Sequence, residues 1–318
     1  MKLATNVRGT MLRAFFVGLS ENPALRNFAE SSALGRRVSG RFVAGTQIAD
    51  AVRATEAINR AGMSVSIDNL GENVSNPDEA RQSAHLYHQI LDAVVAQQLN
   101  ANISLKLTHM GLDVDQKLAR ELVSGLVAKA ASLNPPGFVR VDMEGSPYTQ
   151  RTLDFVHELH RMPGNANSVG TVIQSYLKRS EDDVAQLLAE GIRIRLCKGA
   201  YKESADIAFA EKSEVDANYL KLMKTLMKSG IYHGLATHDE NIVLQAQAFA
   251  TAEKLSRDSF EFQMLYGIRR DLQQRLVRDG WRVRVYIPFG TEWYPYFMRR
   301  LGERPANVLF IARNLLRA

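Results

Sequence analysis

A chain of 318 residues, 46% of them hydrophobic, can bury one large core, and 23% charged with 8% aromatic residues excludes the disordered, collagen-like and low-complexity classes. The formal charge of +6 favours an anionic contact, but basic residues alternate with acids and form no like-charged block, which sets nucleic acid aside as a partner. Cys197 is the single cysteine, which excludes an internal disulfide and a multi-cysteine zinc site and fits a reducing cytoplasm.

Residues 1–61 read as helical throughout, with breaks near Asn22-Pro23 and at Gly45, and are predicted to form an extension packed on the main fold. The apolar stretch from Thr10 to Leu19 is interrupted by Arg13, and no run approaches the ~20 apolar residues of a membrane-spanning helix. After Gly62 the pattern changes. Short runs rich in β-branched residues are predicted as strands at Ser64–Ile67, Ile103–Leu107, Phe138–Val141, Ser168–Ile173, Arg193–Leu196, His233–Thr237, Phe260–Met264 and Arg282–Tyr286. Crossover helices are predicted between them at Asp78–Gln98, Asp115–Ser132, Thr149–Arg161, Glu181–Glu190, Val215–Ser229, Asn241–Leu255 and Ile268–Asp279, and a last helix begins after Thr291. Eight such units over residues 62–318 favour an α/β fold of the closed (β/α)8 kind over an open doubly wound sheet, and no G-x-G-x-x-G follows the first strand.

A barrel of this kind carries its active site at the C-terminal strand ends, which here are rich in polar residues. Strand one ends in Asp68 with Glu72 beyond it, and strand two carries Lys106 and Thr108. Strand three ends in Asp142 and Glu144, and strand four in Gln174. Strand five is bracketed by Arg195 and Lys198, and strand six delivers Thr237-His238. Strand seven carries Glu261 and Gln263, strand eight Tyr286, and the last helix Tyr296, Arg299, Arg300 and Glu303. Taken singly, Lys106 reads equally as a surface lysine, and Asp142 or Arg195 as half of a structural ion pair. Arg299-Arg300 taken alone reads as charge at a helix C-terminus. Converging on one hollow they point to a ligand, because an inward charge costs several kcal/mol unless it is paired or meets one. His157 and His160 lie three apart on a helix without a third ligand, so no metal site is assigned. Lys198-Gly199-Ala200 lacks the glycine loop of a Walker motif, yet such a turn can hold a phosphate. Two other functions stay open on these residues alone: a barrel aldolase using Lys106 as a Schiff base, and a non-catalytic anion- or RNA-binding module.

The ordered motifs Asp68-Asn69-Leu70-Gly71-Glu72, Ser104 to Thr108, Val141-Asp142-Met143-Glu144, Gln174 to Leu177, Arg195 to Tyr201, Ala236-Thr237-His238, Glu261 to Gly267 and Tyr286 to Glu303 resemble the proline dehydrogenase family over about residues 64–307. The tail Trp293-Tyr294-Pro295-Tyr296-Phe297 is similar to the single-function bacterial enzymes. The resemblance implies a distorted TIM-type barrel with its last helix over the mouth, bound FAD, and oxidation of L-proline to Δ1-pyrroline-5-carboxylate. It matches Met143, Gln174, Arg195, Lys198, Gly199, Ala200, Thr237 and His238 to FAD contacts. Lys106, Arg299 and Arg300 match a clamp on the substrate carboxylate, and Tyr296, Leu265 and Tyr286 match residues around its ring. Tyr296 favours proline over hydroxyproline. Asp142 and Arg195 match catalytic positions: Arg195 is expected to stabilise the reduced flavin, and Asp142 to orient and charge-balance Lys106 or a flavin contact. Glu72 is expected to gate the site by pairing with Arg299. A quinone acceptor, peripheral contact with the cytoplasmic face of the inner membrane and no obligate protein partner complete what the resemblance implies. Cys197 stands where relatives carry an aliphatic residue and is read as a small buried hydrophobe.

Overall fold

The computed structural model describes residues 39–201 and 203–303, the side chains of 299–303 excepted. Eight parallel strands close into a barrel in sequence order: β1 (Ser64–Asn69), β2 (Ala101–Leu105), β3 (Val139–Val141), β4 (Val169–Gln174), β5 (Arg193–Cys197), β6 (His233–Ala236), β7 (Phe260–Leu265) and β8 (Val283–Phe289). The helices are α1 (Ile48–Arg60), α2 (Pro77–Ala96), α3 (Gln116–Ser132), α4 (Ser146–Arg161), α5 (Ser180–Ala189), α6 (Lys212–Lys228), α7 (Glu240–Ala252), α8 (Arg270–Arg278) and α9 (Trp293–Glu303). Local chemistry sets several boundaries. Asn76 accepts from the backbone N–H groups of Asp78 and Glu79 ahead of Pro77-led α2, and Asp115 caps α3 through Lys117 and Leu118. The expected helix of residues 1–61 is met from Ile48 onward. Residues 39–47 form turns and bends, and the remainder of that expectation lies outside the described residues.

The apolar positions of the strands, such as Val65 and Ile67 of β1 or Ile194 and Leu196 of β5, are fully buried in the main core with the outer helices. The alternate positions point into the barrel, and many of them are polar, among them Ser66, Ser104, Arg195, Gln263 and Tyr286. Arg195 of β5 reaches Ser66 of β1, Ser104 of β2 and Gln263 of β7, contacts that can only be made across the interior. Barrels of this class are ordinarily filled by branched aliphatic side chains. Here hydrogen bonds and ion pairs take their place, so this lumen is suited to hold charge.

Helix α1 lies against β8 and β1, where it fills the groove that the helix after β8 would otherwise cover. Ala51 is part of the main core, and Ala54 and Ile58 pack against it. The eight-helix outer wall is therefore α1 to α8. The freed α9 instead buries Trp293, Tyr296 and Phe297 against Phe42, Val43 and Leu70, the last of which follows β1 at the C-terminal pole.

Candidate active site

At the centre of the polar lumen Asp142 continues the β3 ladder, its N–H donating to the Leu105 carbonyl at 2.8 Å. Its Oδ1 accepts from Ser104 Oγ at 2.7 Å and from Arg195 Nη1 at 2.7 Å, and its Oδ2 accepts from the Tyr286 hydroxyl at 3.0 Å. Arg195, 6% exposed, also donates through Nε to Gln263 Oε1 at 2.5 Å, and its guanidinium lies 5.2 Å from the centre of the Tyr286 ring. A guanidinium fixed from four strands cannot swing, so its charge is aimed before any ligand arrives. With three donors on its carboxylate, Asp142 holds Arg195 and Tyr286 in place. The close ion pair of Asp142 is with Arg195, one of the expected flavin contacts, while Lys106 lies nearest Asp68 and also feels the charge of Asp142.

Lys106 Nζ lies 4.0 Å from Asp68 Oδ2, and both side chains are buried. Burial pulls the ammonium down, but Asp68, Glu72 and Asp142 outweigh it and raise its pKa above the ordinary lysine value. Burial pushes the Asp68 carboxyl up to about 6, with Lys106 offsetting part of the effect. Near neutral pH the pair is therefore ionised, and Lys106 presents a permanent cation. A Schiff-base aldolase needs the opposite, an amine held neutral by a depressed pKa, so the Lys106 aldolase reading fails on the surrounding carboxylates.

Lys106 and Arg195 open onto a cavity of about 730 Å³, the size of a cofactor site. Of the residues matched by resemblance, Asp142, Met143, Arg195, Lys198, Gly199, Thr237 and His238 line it, as do Lys106, Leu265 and Tyr286. Gln174 is off this wall: it is buried, and its amide donates to the Glu144 carbonyl at 2.9 Å. Ala200 is exposed beside Gly199. Tyr296 is packed in the cluster with Phe42, and Glu72 is half-buried, close enough to Lys106 to raise its pKa. Arg299 and Arg300 lie on α9, and their side chains fall outside the described residues. His157 and His160 both dock on Glu190, through its carboxylate and its carbonyl.

Sequence reasoning passed over Asp68 as a partner of Lys106, and over Lys212, Asp239 and Arg269, which also line the cavity. The last three stand at or just before helix N-termini, where no strand alternation flags them. Lys198 Nζ is shared between Asp216 at 2.6 Å and Asp239 at 2.9 Å, and Lys212 also pairs with Asp216, so two ammonium groups gather on one side of the cavity. His238 Nε2 accepts from the Leu265 N–H at 2.9 Å, which fixes the tautomer with its proton on Nδ1. A flavin dinucleotide fits this donor set: ammonium groups for the diphosphate, the apolar Met143, Val172, Met264 and Leu265 for the ring, and Arg195 beside them. Cys197, expected as a buried hydrophobe, is only partly buried: it packs on the main core at the edge of the same cavity, and its thiol is pushed up by burial to about 12, which keeps it neutral.

Gly234 makes room for Gln263. A Cβ at position 234 would stand 2.2 Å from Gln263 Nε2, inside the side chain that anchors Arg195. Gly234→Ala is expected to destabilise the fold by about 1–3 kcal/mol through this overpacking. The further change Gln263→Ser should recover part of that loss. Urea unfolding of the single and double variants checks it, and strictly additive losses would refute the clash.

The family model described as proline dehydrogenase matches residues 51–313. Proline dehydrogenase 1 of Bacillus subtilis (strain 168) is 39% identical over 308 residues, which cover 96% of this chain and 100% of the relative. Proline dehydrogenase of Deinococcus radiodurans is 37% identical over 310 residues, covering 96% and 98%. Among solved structures, the proline utilization A (PutA) of Bdellovibrio bacteriovorus inactivated by N-propargylglycine superposes with a TM-score of 0.78 at 24% identity, over 84% of this chain and 32% of that one. This chain thus spans about a third of that protein's length, and the likeness bears on the barrel fold alone. With a polar eight-stranded barrel, a buried lysine–carboxylate pair and a cavity suited to a flavin already in place, the matches lead to one conclusion: the chain belongs to the FAD-dependent proline dehydrogenase family.

Proposed function

We propose that the protein oxidises L-proline to Δ1-pyrroline-5-carboxylate by hydride transfer to FAD, with the electrons passed on to a quinone. In this reading residues 62–318 are assigned to the catalytic barrel and residues 1–61 to an N-terminal extension, whose described part packs on the barrel through α1. The observation that carries this reading is geometric: Lys106, 4.0 Å from the Asp68 carboxylate, and Arg195 line one cavity of about 730 Å³.

Proline offers few handles besides its carboxylate, and Lys106 binds that group with Arg299 and Arg300 in our reading. Three cationic groups on one carboxylate fix its position and rotation, which is the orientation a transfer reaction needs. Leu265 and Tyr286 on the cavity wall bound the space for the pyrrolidine ring and exclude water from it. Met143, Gln174, Arg195, Lys198, Gly199, Ala200, Thr237 and His238 are the residues that hold the cofactor in this reading. Bound FAD supplies the acceptor for the C5 hydride as the ring nitrogen forms its double bond to C5. Arg195, locked by Asp142, Ser104 and Gln263, presents a fixed positive charge where negative charge accumulates. Glu72 closes the site by pairing with Arg299. Tyr296 narrows the space around the ring against a hydroxyl. A quinone acceptor goes with peripheral contact at the cytoplasmic face of the inner membrane, and among the described residues no helix is long and apolar enough to cross a membrane.

The purified protein is expected to be yellow, and anaerobic L-proline should bleach its visible flavin bands. A colourless protein, or one whose bands ignore proline, would overturn the proposal. The gate has its own check. Glu72→Ala is expected to raise the KM for proline several-fold, the scale of one partly exposed charge pair that does not touch the substrate, with little change in flavin content; unaltered proline binding and turnover would remove Glu72 from the mechanism.

A further inference from the structure

The opposite pole of the barrel carries a second concentration of charge that proline oxidation does not use. Arg193 opens β5, Arg282 and Arg284 flank the start of β8, and Tyr232 precedes β6. With Asn167 and Gly191 they line a cavity of about 560 Å³ at the N-terminal strand ends. Behind it lies Arg140 of β3, 2% exposed, whose Nη1 donates to the carbonyls of Thr171 at 2.8 Å and Arg193 at 2.6 Å.

The charges there do not balance among the described residues. Arg284 is paired with buried Glu261 at 2.6 Å, and Arg282 on the rim with Asp258 at 2.7 Å. Arg193 donates through Nε to the Tyr232 carbonyl at 3.2 Å and lies over the rings of Phe138 at 4.3 Å and Tyr232 at 4.9 Å; Glu261, already paired with Arg284, acts on it only from beyond ion-pair distance. Arg140 likewise meets carbonyls and the Phe138 ring at 4.7 Å, and its buried Nε has no hydrogen-bond partner. Aromatic faces attract a guanidinium without neutralising it. Two positive charges are thus left over. Their field reaches His233, whose imidazole is driven down to about 3 by burial and then by Arg140 and Arg193. Uncompensated charge inside a fold is costly unless an ion answers it.

We propose that this N-terminal pole is a binding site for a phosphate-class dianion, with Arg193 as its principal fork and Arg282, exposed on the rim and exchanging Asp258 for the ligand, as the second. Two excess charges match a dianion better than a chloride or a single carboxylate, and guanidinium forks suit the tetrahedral oxygens of phosphate. The cavity exceeds a bare phosphate, leaving room for the organic part of a phosphomonoester.

The test titrates the FAD-loaded enzyme with inorganic phosphate, and separately with phenyl phosphate, by calorimetry against sodium chloride of matched ionic strength. A single-site isotherm is expected for at least one probe, with the proline KM unmoved by it. The tighter of the two shows whether the free ion or an organic phosphate is the better ligand. Arg193→Gln should weaken binding about tenfold or more, the loss of one charge-assisted fork. Should that buried change prevent folding, Arg282→Gln on the exposed rim should still weaken binding several-fold. No heat with either probe up to about ten times the millimolar range of weak ligands overturns the site. So does binding unaltered in the variants, or phosphate competing with proline, which would place it on the Lys106 clamp.

Discussion

Arg195→Met is expected to lower turnover about 10²–10³-fold, the scale of losing one preorganised charge at a reacting centre. Stability should fall by about 3–5 kcal/mol as well, because Asp142 is left as an anion inside the lumen with its ion-pair partner at 2.7 Å gone. The two losses have different causes and can be separated. Adding Asp142→Asn to Arg195→Met removes the orphan charge, so the double variant should regain much of the stability and none of the turnover. Chemical unfolding and steady-state kinetics on the four proteins of the cycle decide this. The reduction potential of the bound flavin should drop in both variants lacking the guanidinium. An unchanged potential would mean that Arg195 is merely a strut for Asp142.

Lys106→Met is the second change with a large expected effect, read in proline affinity and in the pH dependence of stability. Losing one charge-assisted contact to the carboxylate costs about 1.5–3 kcal/mol, so KM should rise about 10- to 150-fold while flavin content holds. The stability effect follows from Asp68. Its folded pKa of about 6 lies above the ordinary value of 3.8, so the folded state holds this proton more tightly than the unfolded chain. The stabilising share of the protonated form is complete below about 4 and is lost as pH rises through about 6. At most about 3 kcal/mol is involved, two pKa units at 1.36 each. Without Lys106 the carboxyl rises further, so the loss should begin at a higher pH and reach deeper into the neutral range. Lys106→Met/Asp68→Asn should remove that added slope without restoring proline affinity. Unfolding midpoints measured from pH 5 to 8 check the sign; identical profiles for the wild type and Lys106→Met would refute the coupling.

How far the sequence could be read depended on the range of the interaction. All eight strands and the crossover helices were legible to within a few residues, because several βα units carry their own caps, as Asn76 and Asp115 do, and their own alternation: Ser-Val-Ser-Ile-Asp in β1 and Arg-Ile-Arg-Leu in β5 announce one polar and one apolar face. The cavity-facing residues at the strand ends were legible for the same reason. Pairings were not. Lys106 and Asp68 sit 38 positions apart on neighbouring strands, and nothing local says that Asp68 answers Lys106 while Asp142 answers Arg195. Gln174 is a strand-end amide like Gln263, yet one props a carbonyl and the other grips a guanidinium, a distinction made by the strands on either side. The arginines at the far pole were in plain view within the same alternating strands, but a rule that looks for function at the C-terminal ends passes over them.

The replacement of the eighth wall helix by α1 has a mechanical result. In a barrel closed by its own last helix, any tilt of that helix opens a seam between the final strand and the first. Here that seam is covered by α1, which precedes the first strand, so α9 is not needed to close it and packs instead at the C-terminal pole against Phe42, Val43 and Leu70. Closing the cylinder and covering its C-terminal pole are thereby assigned to different parts of the polypeptide.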